Sequence, residues 1–396
     1  MRSNETITRL VFVALVAALL AGMIWHFAQL RPAPGADGAL VDFDAFYLAG
    51  QLVAEGRAAQ AYDPVVMRSL QEGLIDRDGF MPWTYPPQFD LVVVLLQLVP
   101  RGLAYALFVG LTLAAYLWLL ARLSGPQLPK VLLSILPPVC VTIAVGQNSF
   151  LIAALMAGFV LLSLQGRAGA GWPLGLLVIK PHLGIGLGVH AALSRRWPVV
   201  GIATGVVLAS SALATLLLGP GIWPAFRLAV ETAQQALSAD FYPFFRMTSS
   251  YALFRSLGAS AGLAMAGQIA TALLACGAVT LAVLRHWPLR HSLAVACFAS
   301  IPVSPYVYDY DMAILGVGFA LIARDLAARC SATEDILILA LFWVAGGWGM
   351  AHALGMAGLS WEDGSAAARA TLSFGAAAYL LLLALIGRIL SRPAPA

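Results

Sequence analysis

The chain has 396 residues, of which 61% are hydrophobic and only 11% charged, against about 25% charged in soluble globular domains. That composition excludes an ordinary soluble enzyme. The formal charge of +4 does not point to nucleic acid either, because the arginines stand as ones and twos between apolar runs, where they act as topology signals. The chain reads as an all-α polytopic membrane protein, one integral unit over residues 1–396, since helices satisfy their own backbone in lipid.

The first apolar run, Leu10 to Ile24, follows Arg2 and Arg9 and shows no clear small-x-small cleavage site before His26. It is expected to be an uncleaved span with a cytoplasmic N-terminus. Residues 31–88 then form an acid-rich first extracytoplasmic loop holding Asp37, Asp42, Asp44, Glu55, Asp63, Glu72, Asp76 and Asp78. Phe46, Ala49, Leu52 and Val53 recur at helical spacing up to Gly56, and Pro64 to Leu74 offers a second pattern; two short helices lying on the membrane surface are expected.

Apolar runs continue to residue 387, enough for about ten to twelve crossings. Those near Pro100, Pro137-Pro138 and Pro305 are short: about 12 residues cover only ~18 Å of a ~30 Å hydrocarbon core, so broken or re-entrant helices are expected there. Basic clusters at Arg195-Arg196, Arg285 to Arg290, Arg324 to Arg329 and Arg388 to Arg392 suit the cytoplasmic side and an even number of crossings. Arg122 and Lys130 fit that count poorly. The second extracytoplasmic loop, 219–258, carries Arg227, Arg246 and Arg255 and faces the first loop across the bundle. The four cysteines form no C-x-x-C pair, so neither a disulfide framework nor a zinc site is expected.

Ionisable groups at membrane depth are expensive and therefore functional suspects. Lys180 lies in the middle of the 172–193 run, followed by Pro181 and His182; it is either a cation for a buried anion or a lysine satisfied inside the bundle. The segment Ser304-Pro305-Tyr306-Val307-Tyr308-Asp309-Tyr310-Asp311 suits a polar pocket at a helix break, or an interfacial aromatic belt. Gly146-Gln147-Asn148 either binds a ligand or closes a tight turn. Asp42, in Asp42-Phe43-Asp44, is either an N-cap or a lone carboxylate base, the two acids being too close in sequence to assume a glycosidase pair. With no Walker loop, Rossmann fingerprint, G-x-S-x-G elbow or H-E-x-x-H, no cofactor or metal is expected, and the substrate is expected to reside in the bilayer.

Taken in order, Asp42-Phe43, Phe46-Tyr47, Ala49-Gly50, Gly56, Tyr62-Asp63-Pro64, Tyr85-Pro86-Pro87, Gly146-Gln147-Asn148, Lys180-Pro181 and Ser304-Pro305 resemble glycosyltransferase family 87 from about residue 40 to about 325. The resemblance implies a GT-C helical bundle whose first outer loop supplies a catalytic aspartate, with a polyprenyl-phosphate sugar as donor. It also implies a lipid-linked or envelope glycan as acceptor, mannose as the first sugar to consider, and a bacterial inner (plasma) membrane with the active site extracytoplasmic. Asp42 takes the family's aspartate position, with Asp44 in reserve.

Lys180, Arg246 and Arg255 are the candidate partners of the donor phosphate. Tyr85, Gln147, Asn148, His182, Tyr308, Asp309, Tyr310 and Asp311 are the candidate pocket residues. Where some members carry Trp and His after Ser-Pro, this chain has Tyr308 to Asp311, so a role held there by histidine must be filled differently. The partners are the donor, the glycan acceptor and the bilayer, not nucleic acid; the oligomeric state is open. A transporter or flippase of a lipid-linked sugar is the alternative, since broken helices and intramembrane charge suit it too; a scaffold subunit is a third.

Overall fold

The computed structural model describes residues 2–30, 40–74, 80–356 and 361–393. Asp37, Asp76 and Asp78 of the acidic loop lie outside the described residues. The chain is a multi-pass helical membrane protein; among the described residues the only β-pairing is an isolated bridge between Met247 and Tyr308. Among the described residues, six stretches are long and apolar enough to cross a membrane: Leu10–Gln29, Arg101–Val145, Trp197–Leu218, Ala261–Leu284, Ala332–Gly355 and Ala366–Leu390. The second contains two helices, Arg101–Ser124 and Leu128–Val145. The shorter apolar helices Pro87–Leu98, Ser149–Leu164, Ala168–Ile179 and Leu289–Ala299 lie among them. Leu208, Leu216 and Leu217 of one span and Leu263, Leu273 and Leu274 of another are exposed, as lipid-facing side chains are when no water surrounds them.

Proline acts differently at each expected break. Pro100 precedes the helix Arg101–Ser124 as its N-cap, and 301–308 is non-helical around Pro305. Pro137 and Pro138, by contrast, break nothing: both lie inside Leu128–Val145. Gly346 and Gly347 of Ala332–Gly355 face the two rings, and a Cβ on either would come within 2.8 Å of Pro138 and 3.0 Å of Pro137 respectively. A glycine notch thus receives the prolines, and packing offsets the hydrogen bonds their nitrogens cannot make. Pro181 does the opposite. The run expected as one span over 172–193 divides into Gly171–Leu176, the turns Leu177–Ile179 and Pro181–Gly184, and Ile185–Leu193. Lys180 sits at the joint with φ −146° and ψ 67°, outside the helical region that a residue before proline avoids.

Both short helices of the first loop are present. Pro64–Leu74 is amphipathic and turns Met67, Gln71 and Leu74 inward. Asp42–Ala54 is buried on most of its sides rather than laid flat. Phe43 meets Tyr105 edge to face at 5.3 Å, and Phe46 meets Tyr85 and Phe89 at 5.4 and 5.3 Å. Gly50 allows the Pro87–Leu98 segment to lie directly along this helix, since a Cβ there would be within 2.3 Å of the Val93 carbonyl oxygen. Gln97 Nε2 donates to the Tyr47 carbonyl at 2.7 Å. The 87–98 run therefore folds back beside Asp42–Ala54 and does not traverse the bundle.

That detour explains Arg122 and Lys130. Lys130 pairs with Asp335 at 2.6 Å, and Arg290 donates to the Leu123 carbonyl at 3.1 Å. Glu334 takes Arg388 and Arg392, and Asp325 takes His291 and Arg329. These pairs bring Lys130, Arg290, His291, Arg329, Arg388 and Arg392 to one pole of the bundle, with Arg122 beside Leu123 among them. The opposite ends of the same helices carry Gly146, Asp309 and Gly349 and build the site.

Candidate active site

The helix Asp42–Ala54 is capped by a residue within it: the Val41 backbone N–H donates to Asp44 Oδ2 at 3.0 Å. Asp44 is buried, with Arg101 Nη1 3.8 Å from its Oδ1. Asp44 thus closes the helix start, a role worth about 1 kcal/mol, and does not line the cavity described next. Asp42 is not the cap. It lines a cavity of about 550 Å³, within the range of small-molecule sites.

On one wall, Gly146 ends the helix Leu128–Val145 in the left-handed conformation, φ 67°. Its missing side chain allows close approach, since a Cβ would be 2.5 Å from Phe43 Cβ. The corner delivers Gln147, whose Nε2 donates to Asp42 Oδ1 at 2.6 Å. Gln147 Oε1 accepts from the Tyr85 hydroxyl at 2.7 Å and from the Asn148 backbone N–H at 2.9 Å.

Two cations line the same cavity. Lys180 Nζ lies 2.5 Å from Asp311 Oδ1 and 5.1 Å from the centre of the Tyr310 ring. Arg246 grips Asp309 with two hydrogen bonds, Nε to Oδ2 at 3.1 Å and Nη2 to Oδ1 at 2.9 Å, the fork geometry that favours arginine. Its guanidinium is also 5.9 Å from the Tyr310 ring. Tyr308 and Tyr310 stack at 5.3 Å. The Thr248 N–H to Val307 carbonyl bond, 2.8 Å, ties the two chain segments together behind them.

Withdrawal from water pushes the Asp42 carboxyl up to about 6, while Arg246 and Lys180 both pull it down. A carboxylate so tuned is ionised near neutral pH yet basic enough to take a proton. Nη1 of Arg246 and the remaining Nζ protons of Lys180 make no hydrogen bond among the described residues, and both side chains line the cavity. The arrangement offers one proton acceptor and two unspent cationic donor groups to a single bound molecule.

The candidate residues do not all meet there. Tyr85, Gln147, Lys180, His182, Arg246, Tyr308 and Tyr310 join Asp42 on the wall. Asp309 and Asp311 stand behind it as the partners of the cations. Asn148 is buried behind Gln147 and does not line the cavity. Arg255 is a correction: it is bound to Asp240 and donates to the Ala259 carbonyl at 2.6 Å, away from the cavity. Sequence spacing cannot reveal that, because Asp240 claims it through the turn between two helices of the same loop. Tyr242, Tyr306 and Phe226 line the cavity without having been singled out. Tyr306 stood inside the quoted aromatic segment and Tyr242 four residues before Arg246, the only signals available.

The sequence matches the model of glycosyltransferase family 87 over residues 83–305, more than half of the chain. Asp42 and the segment Tyr308 to Asp311 flank that region and join it in space. No curated protein matches the sequence. Among solved structures, ArnT from Cupriavidus metallidurans in the apo state is similar at 15% identity, covering 97% of this chain and 78% of that one with a TM-score of 0.38, too loose a likeness to bear on function.

Proposed function

Since the chain belongs to glycosyltransferase family 87 and is a membrane glycosyltransferase, we propose that it moves a hexose, mannose first, from a polyprenyl-phosphate donor to a lipid-linked or envelope glycan, with inversion at the anomeric carbon. The observation that carries this reading is one cavity lined by Asp42 together with Lys180 and Arg246. Asp42 takes the proton of an acceptor hydroxyl as that oxygen bonds to the anomeric carbon. The bond from that carbon to the phosphate oxygen breaks, and polyprenyl phosphate leaves with the electron pair. Lys180 and Arg246 hold the developing charge, Arg246 through paired donors. Displacement from the face opposite the phosphate inverts the centre.

The same reading takes the active site to be extracytoplasmic, in a bacterial inner membrane, with 31–88 and 219–258 as outer loops. Its support is the gathering of basic residues at the far pole, the pattern of a cytoplasmic face.

The test is transfer of labelled mannose from synthetic polyprenyl-phosphate mannose to an extracted glycolipid pool by the full chain in nanodiscs, wild type against Asp42→Asn. Loss of a positioned base costs about 10²- to 10⁴-fold, so the variant should be nearly silent while remaining folded. Activity of Asp42→Asn within a few-fold of wild type would sink the assignment. Failure of folded wild type to transfer any polyprenyl-phosphate sugar would move the reading to transport of such lipids.

A further inference from the structure

Gln147 has its carboxamide held by three groups whose donor and acceptor roles leave one solution. A backbone N–H can only donate, so the Asn148 N–H at 2.9 Å fixes the facing atom of Gln147 as Oε1. The Tyr85 hydroxyl at 2.7 Å adds a second donor to the same oxygen. Nε2 must then point the other way, where it meets Asp42 Oδ1 at 2.6 Å. The backbone corner that presents it is equally constrained. Gly146 is in the left-handed region, and its Cα face rests on Phe43, the residue next to Asp42. Tyr85 is itself anchored, because the Tyr62 hydroxyl lies 2.9 Å from both the Tyr85 carbonyl and Asp90 Oδ2, with its single proton shared between them.

From this geometry we infer that Gln147 and Tyr85 are positioning residues that hold one oxygen of Asp42, Oδ1, and so present Oδ2 to the acceptor hydroxyl. The inference rests on the reading of Asp42 as base. Apart from its own backbone N–H, Gln147 Nε2 is the one hydrogen-bond donor to the Asp42 carboxyl among the described residues, and Asp42 lines the cavity. A carboxylate with two equivalent oxygens otherwise rotates about its Cβ–Cγ bond and offers either one. Clamping Oδ1 selects a single proton-accepting atom and its direction, which is the positional precision a base requires. The amide N–H also favours the ionised carboxylate, as any donor to the charged form does. Arg246 and Lys180 act on Asp42 in the same sense and Asp309 in the opposite one; the Tyr85, Tyr308 and Tyr310 phenols face it as neutral groups. Removing Gln147 therefore changes both the aim of the base and the pH at which it becomes available.

The experiment measures kcat and donor KM from pH 5 to 8.5 for the full chain in nanodiscs with polyprenyl-phosphate mannose, comparing wild type with Gln147→Met, Gln147→Glu, Tyr85→Phe and Asp42→Asn. Gln147→Met keeps the length of the side chain and removes both polar atoms. Its kcat at pH 7 should fall on the order of 10- to 100-fold while donor KM stays within about threefold. The acid limb of its kcat profile should move toward higher pH by about one pH unit. Gln147→Glu sets a second carboxyl against Asp42 and should move the limb further in the same direction. Tyr85→Phe releases only one of the two donors to Oε1, and should lower kcat by about 3- to 10-fold with the limb nearly in place. This gentler variant keeps the test open should Gln147→Met fold poorly.

A raised donor KM with unchanged kcat in Gln147→Met would make Gln147 a substrate-binding residue and overturn the inference. So would an acid limb at the wild-type position in Gln147→Met and Gln147→Glu, with Asp42→Asn inactive. An active Asp42→Asn would instead overturn the reading of Asp42 on which the inference rests.

Discussion

Gly349 lies on the face of Ala332–Gly355 turned to the site, and its replacement by alanine tests whether the cation wall is set by helix packing. A Cβ there would stand 2.6 Å from Arg246 Cα and 2.6 Å from Asp309 Oδ2. Non-bonded carbons rest about 3.5–4.0 Å apart, so the two segments must separate by about 1 Å. Arg246 Cα is backbone and cannot rotate aside. Overpacking of this kind costs about 1–3 kcal/mol, and a displacement of ~1 Å in a positioning element costs on the order of 10²-fold in rate. Gly349→Ala is therefore expected to fold, to melt at a lower temperature, and to transfer sugar about 10- to 100-fold more slowly with a raised donor KM. Gly205→Ala is the control, because no atom lies within 4 Å of a Cβ there. Initial rates of labelled-sugar transfer in nanodiscs and thermal unfolding of the same samples give both readouts. If Gly349→Ala matches Gly205→Ala in rate and melting temperature, the Arg246 and Asp309 pair is not held by that helix and the reasoning fails.

With Asp42 pushed up to about 6, kcat should rise with pH through that value, since the base works only after losing its proton; a profile flat between pH 5 and 7 would exclude Asp42 as the titrating base. Arg246→Lys should raise donor KM at least about tenfold by losing the fork, whereas Arg255→Ala, bound to Asp240 outside the cavity, should leave it within about twofold; steady-state kinetics with varied donor compares them directly. Lys180→Met strands the buried Asp311 carboxylate, at a cost of about 3–5 kcal/mol. Adding Asp311→Leu should recover the melting temperature without recovering transfer, and recovery of both would make the pair purely structural.

How far the sequence discloses the molecule depends on the range over which each signal acts. Span positions, the two short helices at 42–54 and 64–74 and the break at Pro181 follow from local apolar spacing and proline sterics. Pro137 and Pro138 carry the same local signal and behave oppositely, because the notch that accepts them belongs to Gly346 and Gly347, some two hundred residues downstream by the numbering. Charge pairing is likewise non-local. The sequence offered Lys180, Arg246, Arg255, Asp309 and Asp311 as separate polar groups, but gave no means of seeing that Asp311 takes Lys180, Asp309 takes Arg246 and Asp240 takes Arg255. The choice between Asp42 and Asp44 was open for a related reason: two residues apart at a helix start, one caps the backbone and the other looks out. Only the bond from the Val41 N–H to Asp44 tells which is which.

The glycine notch has a consequence for biogenesis. Chains are made from the N-terminus, so the helix Leu128–Val145 enters the membrane well before Ala332–Gly355 exists. Until that late helix docks, the proline rings have no seat, Lys130 has no Asp335, and nothing backs Arg246 and Asp309. The nascent protein therefore holds Asp42 and the two cations in an unfinished site, and the last sixth of the chain acts as the clasp that completes it. Ribosome-stalled or C-terminally shortened chains should be inserted yet inert.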